Sequence, residues 1–126
     1  MLRINIRLII KVMKIKEVAE LLKAKVYGSE DNINKEVEFA FASDLMSDVL
    51  TLKANNVLLL TGLANIQSVR TAEMAEVTNI IYVRGKKITA DMKDLAEESG
   101  ILLMECNYSM FKTAALLYNA GVNPIY

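Results

Sequence analysis

Three apolar stretches of the sequence each end in residues that could bind a small charged molecule. The hydroxyl groups of Ser43 and Thr61 could orient such a ligand, and Arg84, Lys86 and Lys87 could supply positive charge. Glycines beside two of these residues would let the backbone turn closely around a ligand. The candidate ligand-binding residues, for a small anion, are Ser43, Asp44, Thr61, Gly62, Arg84 and Gly85.

Each of these residues also has a purely structural interpretation. Ser43 or Asp44 could cap the helix that is predicted to follow them. Gly62 and Gly85 could serve only to permit tight turns. The lysines after Gly85 could form a solvated turn. The sequence leaves these alternatives open at every position.

Catalytic and metal-binding residue sets are sparse. The chain contains no histidine, which excludes histidine-based catalysis and histidine-ligated metals. Its single cysteine, Cys106, permits neither an intramolecular disulfide nor a cysteine cluster for zinc. Asp44 and Asp48 lie one helical turn apart, a spacing that can hold a metal but that capping and solvent exposure explain equally well. Phosphate-loop and dinucleotide-binding glycine motifs are absent. We therefore expect no catalytic residue, no metal site and no cofactor.

Length and composition favour one globular domain. The chain has 126 residues, of which 53% are hydrophobic, and its formal net charge is zero, which argues against a broad nucleic-acid interface. It lacks an apolar run of about 18 residues, so no membrane span is predicted. The absence of disulfide pairing fits the reducing cytoplasm. Residues 1–12 are predicted to be an extension or edge strand, with Met13 as an alternative start, and residues 13–126 the domain itself.

Hydrophobic periodicity predicts strands that alternate with helices. Uninterrupted apolar runs of strand length, such as Val57 to Leu60, indicate strands covered on both faces. The alternation predicts an α/β fold with a mainly parallel sheet, whose strands all end at the edge where ligands bind in open α/β sheets. The predicted strands cover residues 24–28, 36–42, 57–60, 79–83 and 101–104. The predicted helices cover residues 15–24, 45–53 and 65–77, and two further helices begin at residue 89 and at residue 107 or 109. A polar turn is predicted at residues 29–32.

The last predicted helix has little polar surface. Phe111, Ala114, Ala115 and Tyr118 share one face, and leucines lie beside it. Such a helix can pack against a second copy of the chain. A homodimer, or another protein partner, is therefore expected as an alternative to a small ligand.

Several short motifs resemble DRTGG-domain proteins. They are the run from Phe41 to Leu50, Leu60-Thr61-Gly62, Ile81 to Gly85, and Leu95 to Ile101. Their order is similar to that in the N-terminal, non-catalytic domain of HPr kinase/phosphorylase, and the resemblance covers about residues 13–121.

Two positions depart from the family pattern. Leu63-Ala64 stands where the family has its Asp-Arg pair, and near Val83-Arg84-Gly85 only the last glycine of Thr-Gly-Gly remains. The phosphate loop of the kinase is not in this sequence. The resemblance therefore implies a single α/β domain without a reaction of its own.

The role that the resemblance implies is regulatory or ligand-sensing, since some relatives carry this domain beside nucleotide-binding CBS domains. The expected ligand is a small anion or nucleotide at the carboxyl ends of the strands. The alternative is a protein-interaction or homodimerisation module without a small ligand.

Overall fold

The computed structural model describes residues 12–28 and 30–126, and for residues 30 and 31 it describes the backbone alone. The predicted extension or edge strand at residues 1–12 lies outside the described residues, apart from Val12. Within the described ranges, no helix is both long and apolar enough to cross a membrane.

The centre of the fold is a six-stranded sheet, whose strands lie in the order β2 (Lys25–Tyr27), β7 (Leu102–Glu105), β6 (Asn79–Tyr82), β5 (Val57–Thr61), β4 (Phe39–Ala42) and β8 (Asn123–Pro124). Neighbouring strands from β7 to β8 are parallel, whereas β2 is antiparallel to β7. The predicted α/β class with a mainly parallel sheet is thus confirmed.

Helices cover both faces of this sheet. They are α1 (Ile15–Leu22), α2 (Glu30–Ile33), α3 (Met46–Val49), α4 (Ile66–Met74), α5 (Ala90–Ser99) and α6 (Met110–Asn119). Along β5, Leu59 packs into a core with α3, α4 and α5, whereas Leu58 and Leu60 pack into a second core with α1 and α6. Every residue of β5 is buried, as its unbroken apolar run predicts.

Two predicted helix ends are confirmed by their caps. Asn65 precedes α4, and its side-chain oxygen accepts a hydrogen bond from the backbone N–H of Ser68. Gly100 ends α5 in the left-handed region, with φ of 69°.

The predicted strand at residues 36–42 is wrong as a single element. Glu36–Val37 forms β3, which pairs antiparallel with β1 (Met13–Lys14), and β4 begins at Phe39. The N–H groups of Glu38 and Phe39 both donate to the carbonyl of Asn56, so the chain bends between the two strands.

Two further predictions differ from the structure. The predicted helix at 45–53 ends at Val49. The N–H of Leu52 donates to the carbonyl of Val49, only three residues back, and the side chain of Leu52 packs into the core. Residues Glu30–Ile33, within and just after the predicted polar turn, form one helical turn.

Candidate functional site

The loops that follow the four parallel strands β4 to β7 lie at one edge of the sheet, here called the rim. Backbone hydrogen bonds continue the ladder beyond the strands, from Ser43 N–H to the Leu60 carbonyl and from Val83 N–H to the Thr61 carbonyl. The six residues predicted to bind a ligand therefore do lie along one edge. Whether they bind a ligand stays a prediction.

Asp44 joins the first two loops of the rim. Its Oδ1 accepts hydrogen bonds from the Thr61 hydroxyl (2.8 Å) and from the Gly62 N–H (2.7 Å). These donors are two of those expected to meet an anionic ligand, and here they bond to a carboxylate of the chain itself. This half of the rim is consequently acidic.

The capping role suggested for Ser43 or Asp44 is wrong. The N-cap residue of α3 is Leu45, which has no side chain able to accept a hydrogen bond. Ser43 instead forms a local turn, in which its hydroxyl oxygen accepts from the Leu45 N–H at 3.0 Å. Asp44 points across the rim, where its carboxylate accepts hydrogen bonds from the last residue of β5 and from the residue after it.

Arg84 and Gly85 belong to the other half of the rim. They occupy the centre of a turn from Val83 to Lys86, with φ of 60° and 72°. The Arg84 N–H donates to the Tyr108 carbonyl (2.7 Å) and the Gly85 N–H to the Cys106 carbonyl (2.9 Å). Within the described chain, no hydrogen bond joins these two residues to Asp44 or Thr61, so the predicted set divides into two groups.

Glu105, the last residue of β7, is a buried carboxylate with three partners. It accepts from the Ile88 N–H (3.0 Å) and the Tyr27 hydroxyl (3.3 Å), and the Lys87 ammonium lies 3.7 Å away. Burial raises the pKa of Tyr27, and the charge of Glu105 raises it further. Glu105 thus fixes the loop before α5 to strand β2.

A small basic cleft opens at this half of the rim. It has a volume of about 70 Å³, and its walls bring together residues from three separate segments. Sequence reasoning missed Lys23 and Lys25, because only the antiparallel direction of β2 places Lys25 opposite Glu105. The lining residues are Lys23, Lys25, Gly85, Lys86, Lys87, Glu105, Cys106 and Asn107.

A larger apolar groove of about 520 Å³ lies between α6, the β4–β8 edge and the last residues. Phe111, Tyr118 and Tyr126 are 85%, 67% and 81% exposed beside it. The helix packs on the core through Thr113 and Leu117 instead. The face of α6 that the sequence marks as apolar is therefore exposed in the single chain.

A third cavity, of about 350 Å³, lies between β2 and α5, at the opposite end of β2 from the basic cleft. Its lysine, Lys93, lies over the ring of Tyr27, with its ammonium 4.0 Å from the ring centre. None of the predicted site residues lines this cavity.

Comparison with known proteins places the fold. No family model matches the chain, and no curated protein matches it. A similar solved structure is the regulatory region of Clostridium perfringens pyrophosphatase, with its CBS and DRTGG domains, complexed with its activator diadenosine tetraphosphate. The TM-score is 0.67 at 11% identity, and the match covers 83% of this chain but 46% of that one.

The chain thus spans less than half of that structure. The DRTGG-like fold suggested by the sequence motifs is supported. The closer likeness to HPr kinase/phosphorylase stays a prediction.

Proposed function

We propose that this chain is a regulatory, ligand-sensing module that binds a small anionic ligand or nucleotide at the carboxyl ends of its strands. The observation that carries the proposal is the shared fold with a regulatory region that was solved with a nucleotide activator. In that protein the fold belongs to a regulatory part. Only the regulatory role is proposed by analogy with that protein. The ligand of this chain must instead match the side chains at its own rim.

The rim supports the proposal because parallel strands bring several loops to one edge. Ligands of open α/β sheets bind beyond the carboxyl ends of the strands. Here that edge carries the exposed side chain of Arg84 and, around the basic cleft, further cations. An anion is the ligand class that these groups favour.

The chemistry of the side chains favours sensing over catalysis. The chain has no histidine to act as a base near neutral pH. The thiol of Cys106 is buried, and its sulfur lies 3.6 Å from the hydroxyl of Thr113, not beside a base. Glu105 is engaged by three partners of its own.

A thermal-shift and calorimetric screen tests the proposal. The panel comprises mono- and dinucleotides, diadenosine tetraphosphate and phosphorylated metabolites, each beside its uncharged counterpart. A ligand at 100 times its Kd stabilises the folded state by about 2.7 kcal/mol, so a specific ligand raises Tm measurably. The absence of any shift or binding heat across the panel contradicts the proposal.

The second candidate function is homodimerisation or protein interaction through the apolar groove. The exposure of three aromatic side chains on one face favours it. Light scattering over a range of concentrations tests it, and a monomer at every concentration, together with failure to bind other proteins, removes the support. The cytoplasmic location stays part of the proposal for either function.

A further inference from the structure

The basic cleft concentrates charge in a protein whose overall charge is balanced. Four lysines line it, against the single carboxylate of Glu105. They come from the end of α1, the start of β2 and the turn after β6. Since the whole chain carries 15 basic and 15 acidic residues, this is a local excess of positive charge that composition alone does not require.

Most of this charge has no counter-ion among the residues that the structure describes. In the part of the chain that the structure describes, Lys87 with Glu105 is the single ion pair. Lys23, Lys25 and Lys86 thus have no described carboxylate within salt-bridge distance. Like charges around one cleft repel one another, and a bound anion relieves that repulsion.

The backbone around the cleft is held in place by hydrogen bonds. The turn that carries Lys86 is pinned through the N–H groups of Arg84 and Gly85 to the loop after β7. Glu105 holds the next residues through its bond to the Ile88 N–H. A cleft built on fixed loops loses little backbone conformational entropy when it binds a ligand.

Size and donors define the ligand class. The cleft, with a volume of about 70 Å³, is much smaller than the cavity of about 350 Å³ beside α5 and the apolar groove of about 520 Å³, so it fits a compact group better than a whole nucleoside. Ammonium groups and the side-chain amide of Asn107 offer N–H donors to a group rich in oxygen. A phosphoryl group meets both conditions.

We propose that this cleft binds the phosphoryl group of a small phosphorylated compound, with Lys23, Lys25, Lys86 and Lys87 supplying the positive charge. The inference rests on the proposed ligand-sensing function and assigns it to the basic half of the rim. The other half is unsuitable because Asp44 already occupies the Thr61 and Gly62 donors and repels an anion. The rest of the ligand lies outside the cleft.

Paired charge-removing variants test the assignment. Lys23→Gln with Lys25→Gln removes two cleft charges, and Lys16→Gln with Lys53→Gln removes two exposed lysines that do not line the cleft. The probes for calorimetry are inorganic phosphate, tripolyphosphate, ATP and uncharged adenosine. We expect the cleft pair to weaken tripolyphosphate binding by on the order of tenfold or more, and the control pair by less than about twofold.

A third variant changes affinity in the opposite direction. Glu105→Gln removes the one negative charge of the cleft but keeps an oxygen that can accept from Ile88 N–H, so tripolyphosphate binding tightens. Equal weakening by the two lysine pairs shows nonspecific attraction and overturns the assignment. Binding by adenosine equal to that by ATP overturns it too.

The outcomes separate this inference from the proposed function. If a ligand binds and Arg84→Gln abolishes binding while the cleft pair leaves it unchanged, the cleft assignment is wrong and the sensing function stands. If neither the probes nor the wider panel bind, both are wrong. The probe that binds most tightly distinguishes free phosphate from a polyphosphate or nucleotide source.

Discussion

The carboxylate of Asp44 shows how one side chain can tie two loops of the rim together. Its acceptor oxygen bonds to a hydroxyl and an amide 17 and 18 residues further along the chain. The amide belongs to Gly62, where an added Cβ would lie 3.6 Å from this carboxylate. Asp44 therefore stabilises the rim in the absence of a ligand.

Asp44→Ala is expected to lower the free energy of unfolding by about 1–2 kcal/mol. It removes two hydrogen bonds to a charged group, which are among the stronger ones, but the partial exposure of both bonds to solvent limits the effect. Urea denaturation measures the change. Asp48→Ala is the matched control, since Asp48 is exposed and its carboxylate makes no such bonds, and its expected effect is within about 0.5 kcal/mol. Equal effects of the two substitutions would show that Asp44 does not join the loops.

Tyr82 is a fully buried phenol bonded to Ser68. The Ser68 hydroxyl donates to the Asn65 carbonyl at 2.7 Å, so the Tyr82 hydroxyl is the donor in the 2.7 Å bond to Ser68 Oγ. Burial raises the pKa of Tyr82 from 10.0 to about 12. The folded protein therefore holds the Tyr82 proton more tightly than the unfolded chain does. The stability that the protonated Tyr82 contributes is complete below pH 10.0 and is lost as the pH rises towards about 12.

We therefore expect the wild-type protein to lose about 2–3 kcal/mol of stability between pH 10 and 12 through Tyr82, since one pKa unit corresponds to 1.36 kcal/mol. Tyr82→Phe removes this part of the pH dependence and costs about 1 kcal/mol at neutral pH. Chemical denaturation across this pH range measures both effects. Tyr118→Phe, on an exposed tyrosine, leaves the profile unchanged. A Tyr82→Phe profile as steep as wild type contradicts the prediction.

Local roles were predictable from the sequence, whereas long-range partners were not. Asn65 and Ser109 each cap the helix that begins at the next residue, by accepting from an N–H group three residues ahead, a relation that the sequence contains. Asp44 and Glu105 bond to residues far away along the chain, so their partners depend on the topology of the sheet. The six residues predicted to bind a ligand lie along the rim, and their binding of a ligand stays a prediction; the division of the rim into an acidic and a basic half was not foreseen.

The elements with the strongest patterns were those predicted best. The run through β5, the glycine turn and α4 is long, apolar and capped, so local and tertiary preferences agree. β8 and β3 have two residues each, too few for any periodicity, and were missed as separate strands. The direction of β2 depends on pairing with β7, which its three residues do not specify.

The end of α5 offers a test of an element boundary. Gly100 has φ of 69°, and an added Cβ would meet no atom within 4 Å, so backbone strain is the single obstacle to a side chain there. Gly100→Ala should cost about 1 kcal/mol and shift the midpoint of urea unfolding. Gly100→Asn should cost less, because asparagine tolerates this conformation. The idea fails if alanine and asparagine prove equally costly.

At the scale of the whole molecule, the burial of β5 stabilises the single chain, whereas the exposed face of α6 favours association with another chain. The two cores account for the stability of a single chain. The outer wall of the apolar groove exposes the aromatic side chains of Phe111, Tyr118 and Tyr126 to the solvent, so these side chains contribute little to that stability. Association through this face is then separable from folding.

Replacing Phe111 and Tyr118 together by serine is expected to leave the free energy of unfolding of the monomer within about 1 kcal/mol and to dissociate any dimer. Leu117→Ala, on the buried face of α6, should instead cost about 2–5 kcal/mol. Met74→Ser, an exposed apolar residue on α4, is the control that leaves the oligomeric state unchanged. Light scattering and urea denaturation read out the two effects. A dimer that survives the double replacement excludes this face as the interface.

The two-residue strand at the edge of the sheet has a consequence for aggregation. Its partner β4 reads Phe39-Ala40-Phe41-Ala42, an uncharged strand that would otherwise present free backbone groups to other chains. Pro124 has no N–H with which to continue a ladder, so it suits the edge of a sheet. This very short strand pairs with Phe39 and Ala40, so it covers the first half of the β4 edge, and its length and its proline leave little free ladder of its own for a further chain to join.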